Sequence, residues 1–361
     1  MPSTPPGKTS APGARPELDR PRPLRIATYN VEWFNLLFDD EGHLQRDEAR
    51  SARHQITRAG QIAALGAVFR ALDADGVMVI EAPDTNAQRS TVRALETFAA
   101  AFGLRSRRAV IGFASGTEQE IAFLFDPDRL AARHAPQASD RVPRFDTSFV
   151  TGIGREGTPD KVRFDKPPLE LAVSLPGGMD LRLIGVHAKS KAAHHARNPR
   201  QEAHIARENR RKQLGQCLWL RACVVEHLTR GDSVIVLGDF NDGPGLDSFE
   251  QAFGRSGVEI VMAPTAAPRL RLTEPHAAAA IATPGTVPAA TARFWLDPQK
   301  RYFDALVDFV MLSPGLAAQG AAWRIWHPLN DPAIALDTGL AQALLTASDH
   351  FPVSVDLPIV N

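Results

Sequence analysis

Polar side chains that could act on phosphate follow an apolar run near the middle of this chain. The segment GDFND at 238–242 comes directly after the apolar residues 234–237. Asp239 and Asn241 are two residues apart, so their side chains point to the same side of extended backbone. A carboxylate beside a carboxamide suits the activation of water and the binding of a metal ion or a phosphate. The segment therefore predicts a buried strand that ends at a polar site.

Similar polar groups follow other apolar runs. Asn30 and Glu32 share one face at the end of the first run, Glu81 follows 77–80, and His187 follows 183–186. Asn and Glu are poor strand formers, and a half-buried carboxylate needs a cation or several donors. Mg²⁺ and Mn²⁺ prefer such oxygen ligands. The alternatives are a turn cap, a solvated or salt-bridged glutamate and a structural histidine.

An aspartate inside an apolar run suggests a buried ion pair. Asp308 lies within 305–310, where it is costly unless it pairs with a cation such as a histidinium. His350 is a candidate partner. Its neighbour Asp349 faces the same site only if the backbone there is irregular, and Pro352 favours that.

Charge is balanced overall but not locally. Lys plus Arg and Asp plus Glu each number 41, so no global field attracts a polyanion. Residues 189–212 nevertheless contain eight Lys and Arg against two Glu. This basic stretch could bind a phosphate backbone, or it could be a solvated helix face.

Apolar periodicity predicts strands and helices in alternation, with the strands more numerous and often adjacent, which favours two stacked sheets with helices outside. We predict helices at 55–72, 91–102 and 201–228, and strands at 24–31, 77–80, 109–113, 121–125, 169–174, 181–186, 234–237, 305–312 and 353–357. Residues 1–23 are rich in proline and predict a disordered arm before a single domain over 24–361. The stretch 263–292 is predicted to be an irregular insertion.

The cysteines and the lengths of the apolar runs indicate in which cellular compartment the protein is expected. Cys217 and Cys223 are six residues apart in a predicted helix, on different faces, and we interpret them as reduced core thiols. No apolar run approaches the roughly 18 residues of a membrane span, and the N-terminal residues show no signal pattern. We therefore expect a cytoplasmic protein.

Taken in order, the motifs resemble the endonuclease/exonuclease/phosphatase superfamily, which has the pancreatic-deoxyribonuclease-like fold. The segments that carry the resemblance are TYNVEWF, MVIEAPD, GVHAKSK, LGDFNDGP, LVDFVMLS and SDHFP. They cover the chain from residue 24 almost to its end. The resemblance implies an α+β fold, a four-layer α/β/β/α sandwich of two mixed sheets flanked by helices.

The resemblance also implies a metal site. Glu81 would be the principal ligand of Mg²⁺ or Mn²⁺, as one or two ions. Asn30 would lie beside it, Glu32 nearby, and Asp349 in or next to the metal shell.

The implied catalytic roles fall on five residues. Asp239 would orient or deprotonate the attacking water, and Asn241 would hold a phosphate oxygen. His350 would hydrogen-bond the phosphoryl group, with Asp308 setting its tautomer and charge. His187 would stabilise the phosphate or assist the leaving oxygen. Substrate would be bound by Asn30, Lys189 and Asn241.

The function implied is that of a metal-dependent phosphodiesterase, specifically a nuclease. One alternative is a phosphatase or phosphodiesterase acting on a small phosphorylated molecule, which the neutral net charge favours. Another is a non-catalytic binding protein on the same fold. The sequence predicts no exposed aromatic hairpin for membrane insertion, which counts against a sphingomyelinase.

Overall fold

The computed structural model describes residues 22–153, 159–193, 197–245, 254–283, 289–296 and 299–358. The predicted arm at 1–23 lies outside the described residues except for its last two. His194 and His195 of the basic stretch lie outside them as well. The arm and the single domain over 24–361 therefore stay predictions.

The first large sheet has six strands and combines parallel and antiparallel pairs. Its strands are β1 (Leu24–Asn30), β2 (Gly76–Pro83), β3 (Arg108–Ile111), β4 (Gln119–Phe125), β14 (Ala322–Ile325) and β15 (Val353–Leu357). Their order across the sheet is β14-β15-β1-β2-β4-β3. Only the central pair β1 and β2 is parallel, which brings the C-terminal ends of both strands to the same edge.

The second large sheet has five strands and is also mixed. It contains β5 (Ala131–His134), β8 (Leu169–Ser174), β9 (Asp180–His187), β10 (Val234–Asp239) and β13 (Asp308–Leu312), in the order β13-β10-β9-β8-β5. Here β9 and β10 are the parallel pair. Two small hairpins lie apart from these sheets: β6 (Phe149–Thr151) with β7 (Asp160–Val162), and β11 (Ala292–Leu296) with β12 (Arg301–Ala305).

Ten helical segments, eight α-helices and two 3₁₀ helices, surround the sheets in the described part of the chain. The α-helices are α1 (Arg58–Leu72), α2 (Thr91–Phe102), α3 (Pro199–Arg230), α4 (Gly257–Met262), α5 (Pro275–Ala282), α6 (Pro314–Ala317), α7 (Pro332–Leu336) and α8 (Thr338–Ala347), and a 3₁₀ helix at Phe34–Leu37 follows β1. The sequence marks the ends of α3: the Asn198 side chain caps its first turn, and Gly231 ends it in the left-handed conformation. A further 3₁₀ turn covers Pro268–Leu270.

The apolar side chains form layers that confirm the predicted sandwich. One cluster joins the inner faces of the two sheets, with Ile26 and Met78 from the first and Leu183 and Ile235 from the second. A second cluster packs α1, α2 and α8 on the outer face of the first sheet. A third packs α3 on the outer face of the second. The fold is therefore an α+β sandwich of two mixed sheets between helical layers.

Several local predictions need correction. The strand predicted at 305–312 is two strands, β12 and β13, because the chain turns out of one hairpin and into the second sheet at 306–307. The predicted irregular insertion at 263–292 contains α5, whose first turn is capped by Glu274. Across the described ranges, no helix combines the length and apolarity needed to cross a membrane.

Candidate active site

Three neighbouring strands bring polar side chains into register at one edge of the second sheet. Asp239 ends β10, where it pairs with His187 of β9 on one side and with Asp308 of β13 on the other. The approach of β9 requires Gly238, which has φ +139°, because a Cβ atom there would lie 2.0 Å from the carbonyl oxygen of Val186. The glycine thus lets the aspartate sit between the histidine and the second aspartate.

Glu81 sits in a strained bulge of the first sheet. The register between β2 and β4 shifts between Ile80 and Ala82, and Glu81 between them has φ +60°. Non-glycine residues rarely adopt this conformation, and it concentrates at functional sites. Its carboxylate accepts hydrogen bonds from the Gln119 side chain and from the backbone N–H of Trp33. The bulge turns this carboxylate toward His187, whose Nε2 lies 3.8 Å from Oε1.

The predicted site residues meet in one cavity of about 680 Å³. Its lining contains Asn30, Glu32, Glu81, His187, Lys189, Asp239, Asn241, Asp349 and His350. Asp308 lies behind His350, to which it is hydrogen-bonded. The structure thus brings together the residues named from the sequence, while the catalytic role of each stays a prediction.

The Asp239 carboxylate is buried and held from both sides. Its Oδ1 accepts from the backbone N–H of Asn241 at 2.7 Å, and its Oδ2 accepts from the Asn30 side chain at 3.0 Å. Asn241 has φ +49° and also donates its amide to the carbonyl of Ala188. Burial, followed by the negative charge of Asp308, raises the pKa of Asp239 to about 7. Such a carboxylate can accept a proton near neutral pH.

The environment of His350 favours the protonated, cationic form of its ring. Its Nδ1 lies 2.8 Å from Asp308 Oδ2, and Phe294 packs edge-on against the ring. Burial disfavours the charged ring, but the charge and hydrogen bond of Asp308 outweigh burial and raise the pKa of His350 well above its usual range. A ring that donates Nδ1–H to Asp308 presents Nε2–H to the cavity.

His187 is held in the opposite state by two residues that the sequence analysis did not identify. The Lys166 ammonium lies 3.1 Å from His187 Nδ1 and also donates to the side-chain oxygen of Gln119. Because Lys166 can only donate, it leaves the proton of a neutral His187 on Nε2. Burial, followed by the charge of Lys166, lowers the pKa of His187 well below its usual range.

The remaining carboxylates fit a hard divalent cation. Burial, followed by the charge of Asp349, raises the pKa of Glu32 to about 7, although Arg53 donates to it at 2.7 Å. Two buried oxygens, Asn30 Oδ1 and Asp349 Oδ1, have no hydrogen-bond partner among the described residues. A divalent ion that prefers oxygen ligands would neutralise the crowded carboxylates on this wall of the cavity and would bind the unpaired oxygens. The donor set therefore fits Mg²⁺ or Mn²⁺.

Part of the basic stretch forms internal ion pairs. Arg210 is fully buried against Asp242, and Lys191 pairs with the same carboxylate at 2.9 Å. Lys212 pairs with Asp165 at the rim of the cavity. The two pairs with Asp242 support the loop after Asp239, which favours a structural role for Lys191 and Arg210 over direct contact with phosphate.

Aromatic side chains flank the cavity, including a hairpin that the sequence analysis did not predict. Trp33 lines the cavity and is 42% exposed, and Phe294 lines it from β11. Beyond Phe294, Trp295 and Tyr302 face each other across the β11–β12 hairpin and are 42% and 54% exposed. The expected absence of an exposed aromatic hairpin is therefore wrong, because the apolar pattern of β11 and β12 is too short to predict a hairpin.

No family model matches this chain, and no curated protein sequence matches it. Among solved structures, the chain is similar to truncated TDP2 from Caenorhabditis elegans, with 14% identity over 92% of this chain and 97% of that one and a TM-score of 0.49. An endonuclease/exonuclease/phosphatase family protein from Bacteroides thetaiotaomicron is 13% identical over 92% and 94%, with a TM-score of 0.46. An AP endonuclease from Archaeoglobus fulgidus is 10% identical over 93% and 100%, with a TM-score of 0.47.

With TM-scores of 0.46–0.49, these similarities carry no argument about the activity of this chain. At identities of 10–14% they concern the course of the chain alone. The α+β fold class rests on the two mixed sheets and the helical layers themselves. The activity has to be argued from the side chains of the cavity.

Proposed function

We propose that this protein is a metal-dependent phosphodiesterase, and specifically a nuclease that hydrolyses nucleic-acid phosphodiester bonds by in-line attack of water. The observation that carries the proposal is the convergence of a buried carboxylate, a cationic histidine and a neutral histidine on one cavity. Asp239 supplies a base, and His350 and His187 supply two hydrogen-bond donors. The attack of water on a phosphate ester needs groups of these kinds.

Asp239 acts as the base for the attacking water. Its Oδ1 is fixed by the backbone of Asn241 and its Oδ2 by the amide of Asn30, so the carboxylate has one orientation. With a pKa of about 7, it is ionised in part of the population at neutral pH and accepts a proton from water without large cost.

The two histidines stabilise charge on the phosphoryl group. His350, protonated through Asp308, donates Nε2–H to a phosphoryl oxygen on which negative charge builds up. His187, with Lys166 at Nδ1, offers Nε2–H to a second phosphoryl oxygen or to the leaving oxygen. The Nε2 atom of His187 lies 3.7 Å from Asp239 Oδ2, so both act on the same small region.

The side chains of Glu81, Asn30, Glu32 and Asp349 form the part of the cavity that would hold a metal ion. A divalent ion held by Glu81 with Asn30, Glu32 and Asp349 supplies, when bound, a positive charge that neutralises the phosphate and lowers the barrier to attack. Gln119 joins Glu81 to Lys166, so the same hydrogen-bonded chain orients a metal ligand and His187.

Aromatic side chains around the cavity favour a nucleic-acid substrate. Trp33 and Phe294 line the cavity, and Trp295 with Tyr302 extends the aromatic surface along the hairpin. Base stacking on an exposed ring contributes about 1–3 kcal/mol per base. Arg293 lies over the Tyr302 ring at 4.5 Å and adds a cation at that surface.

The test compares the wild-type protein with Asp239→Asn on plasmid DNA, on single-stranded DNA and RNA, and on a small aryl diester and monoester, each with Mg²⁺ or Mn²⁺. Asparagine keeps the shape but cannot accept the proton, so we expect a rate loss of about 10²- to 10⁴-fold. Asp180→Asn is the matched control, because Asp180 is exposed at the opposite end of the neighbouring strand β9. Full activity of the Asp239→Asn protein would contradict the assigned base.

A small phosphorylated substrate is the second candidate function. The cavity volume of about 680 Å³ suits a single small ligand, and the chain carries no net charge. Hydrolysis of the monoester alone would support this candidate and exclude the nuclease. Binding of DNA without hydrolysis of any ester under either metal would instead support the non-catalytic binding protein.

A further inference from the structure

Glu170, Cys223 and His227 form a second group of metal-ligating side chains, separate from the cavity. Glu170 belongs to β8, whereas Cys223 and His227 lie one turn apart on α3 and therefore on the same face of that helix. One ligand atom from each lies within 4.8 Å of those of the other two. All three residues are buried, with exposures of 3%, 5% and 2% in that order. None of them takes part in the mechanism proposed above.

The spacing of this group suits a tetrahedral ion. Cys223 Sγ lies 3.7 Å from Glu170 Oε1. Two ligands of a tetrahedral Zn²⁺, with bonds of about 2.3 Å to sulfur and about 2.0 Å to oxygen, are separated by roughly 3.5 Å. The pair could therefore close on an ion with little movement of the backbone.

His227 has a carboxylate partner behind its ring, as metal-binding histidines usually do. Asp232 Oδ2 lies 2.7 Å from His227 Nδ1. A proton on Nδ1 directs the lone pair to Nε2 and fixes the ring, which is the role of a carboxylate behind a metal-binding histidine. Arg230 Nη2 lies 2.9 Å from the same nitrogen and Arg230 Nε 3.3 Å from Asp232 Oδ2. Because Arg230 can only donate, the proton of a neutral His227 lies on Nδ1 when Arg230 bonds Asp232 rather than the ring.

The group is costly to bury without a cation. Among the described residues, the carboxyl of Glu170 accepts a 3.3 Å hydrogen bond from the backbone of Gln137 and one from the weak donor of Cys223, and no other. A divalent ion would be neutralised by one carboxylate and one thiolate, which removes this cost.

We propose that Glu170, Cys223 and His227 supply three ligands of a tetrahedral Zn²⁺ ion between β8 and the C-terminal part of α3, with a water molecule as the fourth ligand and Asp232 orienting the histidine. Cys217 and Cys223 are both buried in the apolar cluster beneath α3, but among the described residues only Cys223 lies beside Glu170 and His227. Both cysteines are free and buried, as the sequence predicted, and the proposal adds a ligand role for Cys223.

Cobalt spectroscopy tests the proposal. The full chain is freed of metal with a chelator and titrated with Co²⁺, which gives a thiolate-to-cobalt charge-transfer band only when a cysteine binds the ion. We expect one equivalent of Co²⁺ to produce the band and one equivalent of Zn²⁺ to remove it. Cys223→Ser should abolish the band, and Cys217→Ser, the matched control on the same helix, should retain it.

A measurement on the wild-type protein guards against misfolding of the variants. Alkylation of each cysteine is followed by peptide mass, with and without Zn²⁺. We expect Zn²⁺ to slow the modification of Cys223 at least tenfold and to leave the rate at Cys217 unchanged. Absence of the band in the wild-type protein, a band that survives Cys223→Ser, or equal alkylation with and without Zn²⁺ would each overturn the proposal. None of these results depends on the activity at the cavity.

Discussion

Replacing Asp308 with asparagine tests the electrostatic core of the proposed site. The substitution keeps the volume and one hydrogen bond to His350 but removes a buried negative charge. Asp308 affects both partners that matter, because its charge raises the pKa of His350 and also raises the pKa of Asp239. Its removal should therefore lower both pKa values.

The size of the effect follows from the distance. With His350 Nδ1 and Asp308 Oδ2 2.8 Å apart, the centres of the two charges are separated by roughly 4 Å, and an effective dielectric constant of about 20 gives about 4 kcal/mol. The retained hydrogen bond and relaxation of the site offset part of this energy. We therefore expect a loss of kcat of about 10²- to 10³-fold, similar to the loss of one oxyanion donor.

The pH profile supplies the sharper readout. Activity needs ionised Asp239, so the acid limb falls at the pKa of Asp239, and it needs protonated His350, so the alkaline limb falls at the pKa of His350. Without the Asp308 charge, Asp239 ionises more easily and His350 loses its proton more easily. Both limbs should move to lower pH in Asp308→Asn, measured as kcat/KM on a small diester with saturating Mg²⁺.

Asp304→Asn is the matched control for this experiment. Asp304 lies four residues earlier on β12, where it pairs with Arg293 on an exposed face. Its neutralisation should leave both limbs in place. Unchanged limbs in Asp308→Asn, or limbs that move in opposite directions, would refute the assignment of His350 as the cationic donor and Asp239 as the base.

Three further predictions concern other parts of the chain. Lys166→Met removes a cation that lowers the pKa of His187, so that pKa should rise. The value of kcat/KM should fall about 10- to 100-fold, as it does when an outer-shell partner is lost. The control Lys161→Met, on the exposed face of β7, should change neither quantity. A chelator should abolish hydrolysis, Mg²⁺ should restore it, and Glu81→Gln should raise the Mg²⁺ concentration needed for half-maximal rate by at least about tenfold. Phe98→Ala, which removes a fully buried ring with edge-on contacts to two other phenyl rings, should lower the free energy of unfolding in urea by about 3–5 kcal/mol.

The polar residues that follow apolar runs were predictable from the sequence. Burying a carboxylate or an imidazole at such a position costs free energy unless the group has a binding or catalytic role. Asp239, Glu81 and His187 each follow such a run, and each faces the cavity. The sandwich was predictable for a related reason, because adjacent apolar strands with few helices favour two packed sheets. These inferences needed only local sequence.

Lys166 and Gln119 could not be found in this way. Gln119 begins β4, and Lys166 lies in the connection between β7 and β8, so neither follows a long apolar run. Their approach to His187 and Glu81 depends on the pairing of β4 with the bulged end of β2 and on the path of a loop over the second sheet. No local pattern reports such a tertiary contact. The same holds for Phe294, which reaches His350 from a hairpin outside both sheets.

The protonation states of the two histidines show where sequence reasoning stops. His187 and His350 are both buried imidazoles, and the sequence offers Asp308 as a candidate partner for His350 but indicates no partner for the ring of His187. In the structure, Nδ1 of His350 faces a carboxylate and Nδ1 of His187 faces an ammonium. The first ring is therefore held charged and the second neutral. Asp239 lies close to both rings, so the cavity holds a cationic donor, a carboxylate and a neutral donor at the same pH, and the difference between the two rings comes from the partner that the fold places behind each one.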